Sequence, residues 1–183
     1  MELVQHTDHI ITMKGFWNPE ECDKYIRISE AYGYEAATVQ TDFGQRRVDH
    51  IRNNKRVQYT NEDLALGIWE AVKDHVPNAY GKSTAIGLNE RFRFYKYGSL
   101  QEFKKHRDQS FIRNASEASF YTFMIYLNDG FTGGTTEFND LKIVPEKGMA
   151  LIFRHDLEHA GNPVEEGVKY VLRTDIMFRL PND

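Results

Sequence analysis

His106-Arg107-Asp108, answered about fifty residues later by His159, places residue types together that can bind and use a metal ion. Two imidazoles and one carboxylate form a facial set of donors. Such a set leaves positions open on an ion such as non-haem Fe(II) for a cosubstrate and dioxygen. In an extended strand the side chains at i and i+2 leave the same face, so His106 and Asp108 can close on one ion while Arg107 points away. H-x-D alone is a weak signal, because the tripeptide arises often by chance. Its weight depends on the elements that position it.

At 183 residues the chain reads as one domain, 1–183, with a helical support over about 15–80 and a β core over about 86–180. Its 12 Phe and 10 Tyr suit a β-rich fold lined by large side chains. The formal net charge of -4 gives no overall basic bias, and no nucleic-acid partner is expected. Cys22 is the only cysteine, which excludes disulfides within the chain and thiolate-rich zinc sites and favours a reducing compartment. The N-terminus shows no basic segment followed by an apolar one. Apolar runs such as 123–127 and 149–153 are far too short to span a bilayer. A cytoplasmic domain with no membrane partner is the expectation.

Residues 9–13 read as a short strand. Asn18-Pro19-Glu20-Glu21 opens a helix, with Asn18 as cap, Pro19 at the first helical position and acids at the positive end of the dipole. Cys22, Tyr25, Ile26 and Ser29 share a face, and Gly33 ends the helix. Periodicity fades over 34–60, where Arg46, Arg47, Arg52, Lys55 and Arg56 outnumber the acids, Asp42 and Asp49 being the only ones after Glu35. This basic segment is either a lid that meets an anionic or polar substrate, or a solvated loop, the commoner case. Asn61-Glu62-Asp63 caps a second helix with Leu64, Ile68, Ala71, Val72 and His75 at helical spacing, closed by Pro77 and Gly81. Strands follow: 91–97 in alternation, 102–108 with the proposed ligands, 119–127, 135–138, 149–153 and 169–179, with 155–161 a short connection. Two helices and then many short antiparallel strands argue an α+β chain with a jelly-roll sandwich core and the helices packed outside.

Six segments together resemble the prolyl 4-hydroxylase-like branch of the Fe(II)/2-oxoglutarate-dependent dioxygenases. They are Arg93-Phe94-Tyr95-Lys96-Tyr97-Gly98, Phe103-Lys104-Lys105-His106-Arg107-Asp108, Tyr126-Leu127-Asn128, Phe131-Thr132-Gly133-Gly134-Thr135-Thr136-Glu137-Phe138, Gly148-Met149-Ala150-Leu151-Ile152-Phe153 and His159-Ala160-Gly161-Asn162-Pro163-Val164. Any one is weak; six in the family's order and spacing are not. The resemblance implies a double-stranded β-helix (cupin-like) core, with His106, Asp108 and His159 as iron ligands. It implies hydroxylation of an unactivated C–H bond with release of succinate and CO2, using Fe(II), 2-oxoglutarate and O2, and leaves room for ascorbate. Lys169, ten residues after the distal histidine, matches the basic residue that holds the far carboxylate of 2-oxoglutarate, and Tyr126 a tyrosine that helps hold it. A carboxylate buried in a barrel needs such partners, or its desolvation is prohibitive.

Lys169, Val171 and Arg173 share one face of the last strand, so both cations can look into the barrel. Arg would grip a carboxylate bidentately where Lys gives a point charge. The family's spacing favours Lys169, leaving Arg173 to the chelated end of the cosubstrate, the substrate or Asp175. The H-x-x-x-P-V pattern picks His159 over His155, which is assigned to the surface or to a supporting contact. Tyr97 is placed in the pocket; Tyr95 is either there or an ordinary core aromatic. Gly133-Gly134 reads as a β turn, since no lysine and helix follow it.

Asp108 also bears on reaction type. Relatives that halogenate have a small residue there, so a carboxylate favours hydroxylation. A small-molecule, peptide or protein substrate fits the resemblance, prolyl residues being the family's best-known target. Two other readings remain open at this stage. One is a non-catalytic cupin-like metal or small-molecule binding module, and the Lys169 and Tyr126 pair argues against it. The other is a zinc or manganese hydrolase or isomerase, which needs an extra acid or base such as Glu137 or Glu158.

Overall fold

The alternating run Arg91–Tyr97 is a strand, and its two faces set the architecture. Phe92 and Phe94 point one way, Tyr95 and Tyr97 the other, and all four are buried. The computed structural model describes residues 1–41 and 44–181. Against Arg91–Tyr97 runs the antiparallel C-terminal strand Lys169–Arg179, with Lys169 opposite Tyr97 and Arg173 opposite Arg93. Beyond it lie Glu117–Tyr126, Ala150–Arg154, Ile10–Lys14 and Glu2–Thr7, in that order. Lys55–Thr60 and Glu35–Ala36 extend the other edge, and Ser83–Leu88 pairs with the far half of Lys169–Arg179. Among the described residues this sheet has ten strands.

A second sheet of four short strands runs Phe103–His106, His159–Gly161, Thr136–Phe138, Lys142–Ile143. Its Phe138 and Ile143 pack with Tyr95, Tyr126, Phe153 and Val171 of the large sheet into one apolar cluster. The helices cover the opposite face. Cys22 of α1 (Pro19–Tyr32) and Ala65, Ile68 and Val72 of α2 (Glu62–Val72) join Phe92, Phe94, Phe123 and Leu172. Burial on both faces explains why Glu117–Tyr126 is apolar almost throughout, since neither side can carry a solvated pattern. Each fully buried Phe contributes roughly 1.5–3 kcal/mol. The result is a mostly β chain with a jelly-roll-like core and two helices outside one face.

Both helices start where the sequence places them. Asn18 Oδ1 accepts from Glu21 N at 2.8 Å, and Asn18 N donates back to Glu21 Oε2 at 3.3 Å, a reciprocal cap. Asn61 Oδ1 accepts from Leu64 N at 2.8 Å. No helix among the described residues is long and apolar enough to cross a membrane.

Four expectations are corrected. The segment 34–60 is not loop throughout: Lys55–Thr60 is a full strand of the large sheet, where Val57 and Tyr59 pack against the helix-side core and the charged and polar residues beside them hide the alternation. The ligand strand ends at His106, and Asp108 lies beyond it, held by its own N–H donating to the His155 carbonyl at 3.1 Å. Residues 159–161 form a strand rather than a connection, pairing with both Phe103–His106 and Thr136–Phe138. In α2 the buried stripe runs through Ala65, Ile68 and Val72, and Ala71 and His75 are exposed because the helix stops at Val72. Asp42, one of the acids of the basic segment, lies outside the described residues.

One turn fixes the N-terminal segment to the core. Gly148 has φ +81°, donates its N–H to the Tyr126 carbonyl at 2.8 Å and accepts from Trp17 N at 3.0 Å. A Cβ there would stand 2.0 Å from the Trp17 carbonyl oxygen. Gly148→Ala is expected to lower stability by at least about 2 kcal/mol in urea denaturation. Gly81→Ala, at φ +57° with open space around it, should lose only about 1 kcal/mol.

Candidate metal centre and its pocket

His106 and His159 are direct register partners on neighbouring strands of the small sheet. The His106 ring stacks on Phe103 with centroids 3.5 Å apart, and the His159 ring packs edge-on against Phe153 at 4.5 Å. Their tautomers are set by backbone. His106 Nδ1 lies 2.7 Å from the Lys104 carbonyl and His159 Nδ1 2.9 Å from the Leu157 carbonyl. A carbonyl only accepts, so each Nδ1 carries the proton and each Nε2 lone pair is left free. Both Nε2 atoms face Asp108, at 3.6 Å for His106 and 3.8 Å for His159. One donor atom from each of the three residues lies within 4.8 Å of the others, a spacing that could hold a metal ion. Backbone partners for the far ring nitrogens are what metal-ligating imidazoles need to stay oriented.

Asp108 is gripped from the large sheet. Thr122 Oγ1 donates to its Oδ2 at 2.5 Å and Arg173 Nη2 lies 3.0 Å from the same oxygen. Burial alone would raise its carboxyl; the Arg173 guanidinium and the two imidazoles outweigh that and hold it well below the usual carboxylate range. His159 is the opposite case, because burial drives its imidazole down to about 4 despite the pull of Asp108. It is therefore neutral near pH 7, the state a metal ligand requires.

Arg173 also reaches Asp175 Oδ1 at 3.3 Å and Thr122 Oγ1 at 3.2 Å. Of the contacts left open for it, the structure shows the one to Asp175 and adds Asp108. Lys169 is placed differently. It is 3% exposed, donates from Nζ to the Gly134 carbonyl at 2.6 Å, and sits over the Tyr97 and Tyr126 rings at 5.3 Å each. Among the described residues it has no carboxylate partner, and burial brings its ammonium down to about 7. The Tyr126 hydroxyl is 2.6 Å from Thr136 Oγ1, and burial pushes its phenol up.

His106, Asp108, His159, Thr122, Thr136, Lys169 and Arg173 line one cavity of about 50 Å³, with Tyr95, Tyr97, Met124, Phe153 and Val171 among its walls, whereas Tyr126 and Asp175 are buried outside its lining. Thr122 and Thr136 were not foreseen, and Asp175 only as one partner open to Arg173, although alternation gave a signal for Thr122 and Asp175. Counting back by twos from Tyr126 reaches Met124 and Thr122, and counting forward from Arg173 reaches Asp175. His155 is buried rather than on the surface. Its Nε2 is 3.5 Å from Asp175 Oδ1 without hydrogen-bond alignment. Glu137 is held by Asn162 at 2.7 Å and Lys142 at 3.3 Å, and Glu158 lies 4.0 Å from Lys105. Neither lines the cavity, so the hydrolase reading lacks its acid or base.

Arg173→Met removes the cation shared by two buried carboxylates and should lower stability by about 3–5 kcal/mol in urea denaturation. A second prediction concerns pH. His159 binds its proton more weakly folded than unfolded, so the metal-free protein should lose stability as pH falls from about 6.5 through about 4. A His159→Gln variant should show a flatter profile over that window.

Comparisons with known proteins bear on this geometry. Residues 92–174 match the family model described as the 2OG-Fe(II) oxygenase superfamily. Among curated proteins none matches the sequence. The viral collagen prolyl hydroxylase vCPH from Paramecium Bursaria Chlorella virus-1, solved as a 2OG complex, superposes with a TM-score of 0.68 at 19% identity, covering 94% of this chain and 97% of that one. A Trichoplax adhaerens prolyl hydroxylase, solved with a hypoxia inducible factor peptide fragment, gives 0.71 at 16% identity over 93% and 84%. A Pseudomonas putida prolyl-4-hydroxylase gives 0.67 at 14% over 96% and 95%. At these identities the three structures establish a shared fold. The family match spans the converging His106, Asp108 and His159 as well as Lys169 and Arg173. Residues 92–174 are thus similar to the 2OG-Fe(II) oxygenase superfamily, a family that uses Fe(II), 2-oxoglutarate and O2.

Proposed function

We propose that this chain is an iron- and 2-oxoglutarate-dependent hydroxylase built on a double-stranded β-helix core, with His106, Asp108 and His159 as its iron ligands. The observation that carries the reading is the pair of free Nε2 lone pairs facing a buried, ionised Asp108. Iron bound there supplies oxygen activation, coupled to decarboxylation of 2-oxoglutarate to succinate and CO2.

The chain's own residues do the rest. Lys169, buried without a counter-charge, would take the far carboxylate of 2-oxoglutarate, and the Tyr126 hydroxyl would donate to it. Tyr97 walls the same cavity and lies under the Lys169 ammonium. Arg173, committed to Asp108 and Asp175, acts as a positioning residue for the ligand carboxylate rather than as the cosubstrate's grip. Apolar walls from Met124, Phe153 and Val171 exclude water from the reacting centre. A carboxylate at 108 fills the position that halogenation would need vacant, which favours hydroxylation. The likeness to prolyl hydroxylases makes peptidyl proline the first substrate to test, an argument from fold alone.

Anaerobic titration of the Fe(II)-loaded protein with 2-oxoglutarate should develop the visible charge-transfer band of a chelated keto acid. His106→Ala should abolish it. Lys169→Ala should keep iron but weaken 2-oxoglutarate at least about tenfold, the loss of one charge-assisted contact. Bound iron without a band in the wild type would favour the binding-module alternative.

The Lys169 ammonium adds a pH signature. In the empty pocket it is largely neutral above about pH 7, and a carboxylate beside it restores the charged form. Binding of 2-oxoglutarate at pH 8 should therefore take up a proton, and affinity should fall as pH rises further. Calorimetry in buffers of different ionisation enthalpy reads the uptake; Lys169→Met should eliminate it.

A further inference from the structure

Beside the metal pocket lies a second cavity of about 330 Å³, which shares Tyr95, Phe103, His106, Asp108 and Arg173 with it as walls. Its walls carry Arg52, Arg56, Arg93, Arg107 and Arg173, and among its described lining residues the only acid is Asp108. The partners of these five arginines are unequal. Arg173 has Asp108 and Asp175, Arg93 has Asp175 at 3.5 Å, and Arg107 donates to the Asp156 carbonyl at 2.9 Å. Among the described residues Arg56 hydrogen-bonds to a hydroxyl, Thr38 Oγ1 at 3.1 Å. Glu35, its register partner on the neighbouring strand, is exposed and makes no ion pair with it among the described residues.

Arg52 is the most telling. It is 5% exposed, its Nε donates to Asn54 Oδ1 at 2.7 Å, and its Nη2 is buried with no partner. The guanidinium is held over the rings of Tyr95 at 4.5 Å and Phe103 at 4.3 Å. Phe103 in turn stacks on the His106 ring, so this unpaired cation sits one ring away from the metal-binding imidazole. Arg173 Nε is likewise buried and unpartnered. A buried cation with an unsatisfied N–H is destabilising unless an acceptor arrives. The surplus positive charge registers on Tyr95. Burial would raise its phenol, yet the guanidiniums of Arg173, Arg52 and Arg93 together bring it down to about 7.

We infer that this cleft is the substrate site and that it takes a substrate bearing a carboxylate, received by Arg52 and Arg56 with the reacting carbon turned toward the metal. The inference rests on the oxygenase reading of the adjacent pocket. It does not concern the carboxylates of 2-oxoglutarate: Lys169 lines the metal pocket and is not part of this cleft. The planar fork of an arginine, fixed by stacking and with one N–H vacant, suits an equally planar carboxylate. That group can come from a free small acid or from an acidic residue beside the modified one in a peptide.

The test is anaerobic equilibrium dialysis of protein loaded with Fe(II) and 2-oxoglutarate. The probes are N-acetyl amino acids as free acids and as amides, blocked prolyl peptides carrying Glu or Gln beside the proline, and a set of phosphate esters. The expected result is retention of free acids or Glu peptides at least about tenfold above their amide or Gln counterparts. Whichever acidic set is retained identifies the source of the carboxylate. Arg52→Gln and Arg56→Gln should each erase most of the difference, and Arg52→Lys should restore part of it. Equal retention of acids and amides, preference for phosphate esters, no retention at all, or full selectivity in both Gln variants would each overturn the inference. The charge-transfer band recorded on the same samples separates the two readings. Its absence from the wild type sinks the oxygenase assignment, and its presence without selectivity sinks only the carboxylate cleft. Arg56 is half-buried at a strand position, so Arg56→Gln still tests the inference if Arg52→Gln fails to fold.

Discussion

A buried carboxylate bridges the two sheets. Asp108 belongs by chain to the small sheet, yet the two shortest contacts to its Oδ2 come from the large one, through Thr122 and Arg173. Removing such a charge from water costs several kcal/mol, which Arg173 must offset. Arg173 is itself shared with Asp175, and Asp175 with Arg93 and His155. The charges form a chain in which each member justifies the next. Placing Asp108 where it can meet two imidazoles therefore depends on residues from three strands of the large sheet.

The same strands stiffen the site. Glu117–Tyr126 sends Phe123 and Ile125 into the helix-covered core, and Thr122, Met124 and Tyr126 to the pocket side. Lys169–Arg179 does likewise, with Leu172 and Ile176 on one face and Lys169, Val171 and Arg173 on the other. A pocket wall whose reverse side is packed core has little room to relax. That is the condition under which polar groups stay aimed without a ligand to order them.

How much of this could be read in the sequence follows from how local each signal is. Alternation fixed Arg91–Tyr97 and Lys169–Arg179, so the shared face of Lys169, Val171 and Arg173 was readable. The caps Asn18 and Asn61 marked both helix starts. Asp108 does lie beside His106, 3.6 Å from its Nε2, but not through strand alternation: the strand ends before it, and a bond to the His155 carbonyl, invisible in sequence, sets its position. Lys55–Thr60 escaped because four of its six residues are polar or charged, and pairing with Arg91–Tyr97 decided its state. Arg52 had no periodic signal at all. Its burial depends on Tyr95 and Phe103, about forty to fifty residues away in the chain.

The register of the small sheet has a consequence of its own. Its strands span two to four residues, too few for hydrophobic patterning to define their alignment strongly. His106 and His159 nevertheless face each other as direct partners, with a bulge between Phe103 and His106 adjusting the fit. A slip of one residue would turn either imidazole to the opposite face. An ion held by both would therefore act as a pin through the ladder, selecting one alignment among several of similar energy. Loss of that ion would be felt first as wandering of these short strands, while the ten-stranded sheet, fixed by its own two cores, kept its order.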